Sequence, residues 1–388
     1  MGIKNLKKAA NRIQKAIKEK ERIILYGDAD LDGVSTTILL KEAIKNLGGE
    51  ITAIYFPDRE KEGYGLSKEA LFILKEKAPA LLITLDLGIS NFEEILLAKK
   101  LGFEIIIVDH HEILDKLPQA NIIVDPKQKG DKSSLQYLAT VGIVYKLSEI
   151  LFENKMSSEF KQNFLELVAL GTIADLMPRK EENEIMIVEG LKSIENSWRP
   201  GIKAFFEERS FENYNVFQKV SKLISLLNIR DLENQLPASY RLLTISSFSE
   251  AKNILDILIE KSFERKRKAK EIREEIERRI FGKEDPLIFE GDPSWELILL
   301  GSVASIISQR YQKPVFLFKK GEKESQGSAR TAKDFDLVKA MKGCAVLLES
   351  YGGHSPAAGF RIKNENLEKF KQCLLRNYET FTKVRKQK

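Results

Sequence analysis

The sequence predicts an α/β fold: an N-terminal doubly wound, mostly parallel sheet joined by a long helix to a smaller α/β domain. Three observations carry this. Apolar runs alternate with helical patterns from about residue 22 to 125, as strands buried on both faces do. A run of alternating charge, without Gly or Pro until its end, covers roughly residues 257 to 282 and reads as a long solvated helix. Strand-like runs return from residue 286, with glycine-rich turns between them. The expected divisions are 1–255, 256–283 and 284–388.

The elements follow in order. Ile3, Leu6, Ala10, Ile13 and Ile17 recur at helical spacing among lysines, an amphipathic helix docked on the core. RIILYG, EITAIYF, ALLITLD and EIIIVD read as strands, and the segments 33–47, 67–76 and 92–101 between them as helices. Residues 140–260 read as mostly helical. LIFEG, WELILLG, PVFLF and AVLLE read as strands of the second domain.

Composition narrows the class. At 388 residues and 43% hydrophobic content, the chain has length for two or three packed domains. A net charge of +6 permits an anionic partner without demanding one. Cys344 and Cys373 are the two cysteines. They form no disulfide framework and no thiolate metal cluster, which fits a reducing, cytoplasmic setting. No apolar run approaches the ~18 residues of a membrane helix.

The chemistry gathers at strand ends. GDADLDG places Asp28, Asp30 and Asp32 directly after RIILY, ALLITL ends in Asp86, and EIIIV ends in Asp109-His110-His111. A fourth acid, Asp175, follows LVALGTIA. An Asp after a strand is often only a helix cap. Three carboxylates in GDADLDG, however, repel one another and are costly to bury without a positive partner. Carboxylates with one or two imidazoles suit Mn²⁺ or Mg²⁺, and such a set can hold two cations about 3.5–4 Å apart.

GDADLDG, LDLGIS, VDHHE and GTIADLMP stand in the order and spacing of the four motifs of the DHH phosphoesterase superfamily, which the chain resembles. LATVGIVYKL is similar to a segment of its RecJ-type single-strand nucleases. WELILLGSVASIISQRYQKPVFLF, GSARTAKDFDLVKAM and YGGHSPAAGF are similar to the associated DHHA1 domain. The resemblance implies that Asp30, Asp32, Asp86, His110 and Asp175 ligate two divalent cations, Mn²⁺ preferred and Mg²⁺ the alternative, with Asp86 as the bridge. Asp28 would support the first metal and His111 would contact the scissile phosphate. Tyr26 stands where some members carry a further histidine. Bacterial RecJ enzymes usually continue into an OB-fold, so the resemblance is to the compact archaeal-type form.

In the second domain, Arg330 can bind phosphate in a bidentate way, and Gly352-Gly353-His354 lets backbone amides approach an anion. Ser328 and Arg310 complete the expected substrate set. The run Arg265 to Lys270 reads as a solvated helix face. The implied activity is metal-dependent exonuclease action on single-stranded DNA, or RNA, in repair or replication. The implied partners are single-stranded nucleic acid and helicase- or GINS-type proteins, with self-association open. Two other readings are a hydrolase of short oligonucleotides or small phosphonucleotides, and a replication-machinery scaffold.

Overall fold

The computed structural model describes residues 2–59, 61–113, 116–332 and 335–386. Two compact units divide at Glu260/Lys261. In the first unit, strands β1 (Ile23–Gly27), β2 (Ile51–Tyr55), β3 (Ala80–Leu85), β4 (Phe103–Val108) and β5 (Ile122–Val124) form a parallel sheet in the order 2-1-3-4-5. Strand β5 has no counterpart in the sequence reading; it is only three residues long.

Alternate strand residues point to opposite faces, and each face has its own core. Ile23, Leu25, Leu81, Ile83, Ile106 and Val108 pack under helices α1 (Leu6–Lys18), α2 (Leu31–Asn46), α5 (Thr140–Leu151) and α6 (Ser158–Ala174). Ile24, Tyr26, Leu82, Ile105 and Ile107 pack under α3 (Lys68–Leu74) and α4 (Phe92–Lys100). Each fully buried aliphatic side chain here contributes roughly 1.5–3 kcal/mol, which explains why these strands are apolar at most positions. Helices α7 (Glu181–Leu191), α8 (Pro200–Phe206), α9 (Val216–Leu227) and α10 (Ala238–Thr244) extend the first face, with a short hairpin of β6 (Leu232–Glu233) and β7 (Leu236–Pro237).

Helix α11 (Phe248–Ile280) begins well before the expected 256 and crosses the division between the units. The second unit holds β8 (Ile288–Asp292), α12 (Leu297–Tyr311), β9 (Val315–Lys320), β10 (Glu324–Arg330), α13 (Leu337–Lys342), β11 (Ser350–His354), β12 (Ala357–Lys363) and α14 (Leu367–Lys386). Its sheet order is 11-12-10-9-8, antiparallel except between β8 and β9.

Four expectations need correction here. WELILLG is not a strand but the start of α12, which buries Leu299, Leu300, Val303, Ala304 and Ile307. A short apolar run cannot separate the two readings; the helical period emerges only when the run is followed to Ile307. AVLLE is not a strand; Ala345–Leu347 is a 3-10 turn with Val346 exposed. GSAR and GGH, among the glycine-rich stretches expected to form turns between strands, lie in β10 and β11. Cys344 and Cys373, expected to be reduced, form a disulfide across 29 residues, with Cα atoms 6.1 Å apart. Packing of α14 against α13 brings them together, which their sequence spacing does not reveal. Lys333 and Asp334 of the GSARTAKDF segment lie outside the described residues.

Candidate metal centre and anion-binding face

Strand order reverses between β1 and β3, where open parallel sheets form a crevice beyond their carboxyl ends. Asp28 and Asp86 stand there, directly after the two strands. Asp28 is fully buried, and its amide donates to Leu85 O at 3.0 Å. Asp30 caps α2, accepting from the Gly33 amide at 3.1 Å, one of the donors that a helix start leaves unpaired. A Cβ at Gly33 would stand 2.5 Å from the Asp28 carbonyl oxygen, so a glycine lets the helix begin this close to the strand. Asp32 is buried and accepts from the Thr140 and Val141 amides at 2.8 and 3.0 Å. The N-terminus of α5 thus holds this carboxylate.

Asp86 has left-handed backbone, φ 65°, at a cost of about 1–2 kcal/mol for a non-glycine residue. Its amide donates to Val108 O at 3.0 Å, and the Thr140 hydroxyl donates to its Oδ1 at 2.8 Å. Asp109, buried after β4, accepts from the amides of Ile89, His110 and His111 and lies 2.7 Å from His111 Nδ1. Asp175 caps the end of α6. His110 Nε2 is 3.4 Å from both Asp86 Oδ1 and Asp175 Oδ2. Even so, both ring nitrogens of His110 are buried without a hydrogen-bond partner among the described residues.

Electrostatics sharpen the picture. Burial, then the charges of Asp175 and Asp30, pushes Asp32 up to about 8. Burial, then Asp32, pushes Asp86 well above the carboxylate range. Burial and Asp30 raise Asp175 to about 6, and burial with the His111 charge lowers His110 to about 4. These acids resist ionisation unless positive charge joins them, and a bound cation reverses such shifts. The groups Asp28/Asp30/Asp86, Asp86/His110/His111 and Asp32/His110/Asp175 each offer ligand atoms within 4.8 Å of one another. Asp86 and His110 belong to two groups each. An all-oxygen and imidazole set with two bare ring nitrogens fits hard divalent cations.

Sequence reasoning missed several residues here. Arg59, between β2 and α3, donates from Nε to Asp28 Oδ1 at 2.8 Å and from Nη2 to Asp28 Oδ2 and Asp30 Oδ2. Tyr64 donates to the Asp86 carbonyl at 3.3 Å, carries Arg59 against its ring and lies edge-on to His111. Asp125, after β5, is buried with Oδ2 unpaired among the described residues, and burial raises it to about 7. The signal available for Arg59 and Asp125 was position alone: each follows the end of a parallel strand. Tyr26 is fully buried, its hydroxyl between Gly65 O and the Ser67 amide and its ring against Tyr55. A cavity of about 360 Å³ opens beside Asp30 and Arg59, walled by Pro57, Leu227, Ile229 and Pro237.

In the second unit, Ser328 and Arg330 of β10 share a sheet face with Ala357 and Gly359 of β12 and Gly352 and His354 of β11, by strand register. Small residues leave this face shallow. Arg330 Nη1 donates to Ala329 O at 2.8 Å, and no carboxylate among the described residues pairs with the guanidinium. Gly353, on β11, has φ 129° and points to the opposite face, where a Cβ would meet Ala357 O at 2.5 Å. Arg310 stands apart: it donates to Glu277 at 2.8 Å, nine residues along α12 from Gly301, or about 13 Å at the helical rise. The basic run of α11 is paired along its own helix, Lys268 with Glu264, Arg267 with Glu271 and Lys270 with Glu274.

The strand-end acid and histidine cluster on the parallel sheet and the mixed sheet of the second unit each fall within a region that a family model matches. The model of the DHH family N-terminal domain matches residues 22–172, and that of the DHHA1 domain matches residues 284–379. The chain is 33% identical over 376 residues to the single-stranded-DNA-specific exonuclease RecJ of Bacillus subtilis (strain 168), covering 94% of this chain and 46% of that protein. It is 30% identical over 389 residues to RecJ of Salmonella typhimurium, covering 94% of this chain and 67% of that one. A crystal structure of exonuclease RecJ bound to manganese matches with a TM-score of 0.82 at 26% identity, over 97% of this chain and 95% of that one. The chain belongs to the RecJ family. It spans about half the length of the Bacillus protein.

Proposed function

We propose that the chain is a metal-dependent exonuclease that hydrolyses phosphodiester bonds of single-stranded DNA, with RNA as a second substrate class. The observation that carries this reading is His110, whose bare, buried nitrogens stand among Asp32, Asp86 and Asp175. In this reading Asp30, Asp32, Asp86, His110 and Asp175 hold two divalent cations, Mn²⁺ preferred over Mg²⁺, with Asp86 shared. Such cations supply Lewis acidity, lowering the pKa of water and neutralising phosphate oxygens. The chain's own groups do the rest. The α5 N-terminus and Thr140 fix Asp32 and Asp86 in place. Asp109 orients His111 through Nδ1, leaving Nε2 to donate to a phosphate oxygen as charge develops. Asp28 supports the first cation and holds Arg59, a second phosphate-binding group. Arg330, Ser328, Gly352 and His354 offer a further anion-binding face. Work in DNA repair or replication, beside helicase- or GINS-type proteins, is part of the same proposal, and rests on family membership.

The test uses 5′- and 3′-labelled single-stranded DNA, single-stranded RNA and duplex DNA, each with Mn²⁺ or with excess EDTA, followed over time. The expected result is a ladder shortening from one end of the single strand with Mn²⁺, no products in EDTA, and a spared duplex. Undiminished hydrolysis in EDTA, or equal cleavage of the duplex, would overturn the reading.

A further inference from the structure

Helix interiors disfavour glycine relative to alanine, yet α12 carries Gly301 in its first turns. The reason lies on the sheet face that α12 covers. A Cβ built on Gly301 would stand 2.8 Å from Arg330 Nη2, 3.6 Å from Arg330 Cζ and 3.7 Å from Ser328 Oγ. The guanidinium therefore rests where the side chain of residue 301 would be. Its Nη1 is pinned to Ala329 O at 2.8 Å. Nε and Nη2 form no hydrogen bond with the described residues. An arginine held by one nitrogen and without a carboxylate partner among those residues keeps donors for an anion.

We propose that Gly301 is the positioning residue for Arg330: its missing side chain leaves the slot in which the guanidinium lies, so that its unpaired donors are held in place for a nucleic-acid phosphate. The inference rests on the reading of Arg330 as a phosphate-binding group. Alanine at 301 is compatible with the helix, because the atom it meets is the end of a flexible side chain, which swings aside. What the methyl removes is the arginine's preset position, and the strand must then order the side chain at its own cost.

The experiment compares the parent, Gly301→Ala, Arg330→Ala and the double variant. Affinity for a labelled single-stranded DNA decamer is measured in EDTA, KM and kcat in Mn²⁺, and thermal unfolding in both. Gly301→Ala is expected to weaken the decamer roughly tenfold, the scale of one charge-assisted hydrogen bond, with the loss in KM rather than kcat. Its unfolding temperature should equal or exceed the parent's, because alanine favours the helix. In the Arg330→Ala background the same methyl should change affinity less than twofold. Losses that multiply in the double variant, a loss tracking a lower unfolding temperature, or a Gly301→Ala protein that binds like the parent while Arg330→Ala binds weakly, would each overturn the positioning role. An Arg330→Ala protein that binds like the parent would instead remove the reading of Arg330, and the proposal with it.

Discussion

Arg59 is the positive charge already lodged among the carboxylates. Burial opposes its charge, but hydrogen bonds and attraction from Asp28 and Asp30 outweigh that and raise its pKa. It therefore competes with any cation those acids hold. Even at water's dielectric, a unit positive charge about 5 Å from a divalent ion opposes it by roughly 1.7 kcal/mol. Arg59→Ala should bind Mn²⁺ about tenfold more tightly, yet bind a single-stranded decamer more weakly, since a group proposed to hold phosphate is gone. Calorimetric titration with Mn²⁺ and fluorescence anisotropy with the decamer measure the two effects. Tighter binding of both would deny Arg59 a role toward phosphate. The acids of GDADLDG, LDLG and VDHH were legible because charge at the end of an apolar run is unusual and needs a cause. Arg59 and Tyr64 were not, because a loop residue's target depends on how its loop folds back. Thr140 was hidden for another reason: a hydroxyl at a helix start reads as an ordinary cap until the structure places Asp86 beside it.

Among the elements, α2 and α5 matter most, because their first turns face the strand ends. Asp30 and Asp32 sit in one, and the Thr140 and Val141 amides in the other. The four longer parallel strands were legible: burial on both faces makes β1, β3 and β4 apolar at nearly every position, and the edge strand β2 is largely apolar although Thr52 is exposed. Helix α12 was not, because its first residues, WELILLG, are also apolar, and only Val303 and Ile307 extend the helical period. Helix α11 carries the most basic run, and its charges are largely satisfied along the helix. Arg267 and Lys270 are 64% and 65% exposed and paired with Glu271 and Glu274; such surface pairs contribute at most about 1 kcal/mol. Replacing both with alanine should change decamer affinity less than twofold and leave its salt dependence unaltered. Anisotropy titrations at several salt concentrations check this. A slope shallower by about 0.7 for each phosphate no longer neutralised would instead assign the run to nucleic acid.

At the scale of the molecule, two units each carry a sheet and a core of their own. The first gathers acids and histidines at the reversal of strand order, and the second presents a shallow face with an arginine that no described carboxylate pairs. That difference follows from the folds: parallel strands collect loop acids on one edge, while antiparallel strands expose alternate small residues on one face. The disulfide between Cys344 and Cys373 belongs to this scale as well; a count of two cysteines carries no information about whether tertiary packing makes them neighbours. We propose that the acids and His110 form one two-cation centre built around Asp86. Its most direct test is calorimetric titration of Mn²⁺ into the parent and into Asp86→Ala, with circular dichroism confirming that both are folded. Two ions per chain in the parent and fewer in the variant is the predicted result; an unchanged stoichiometry in Asp86→Ala would contradict it.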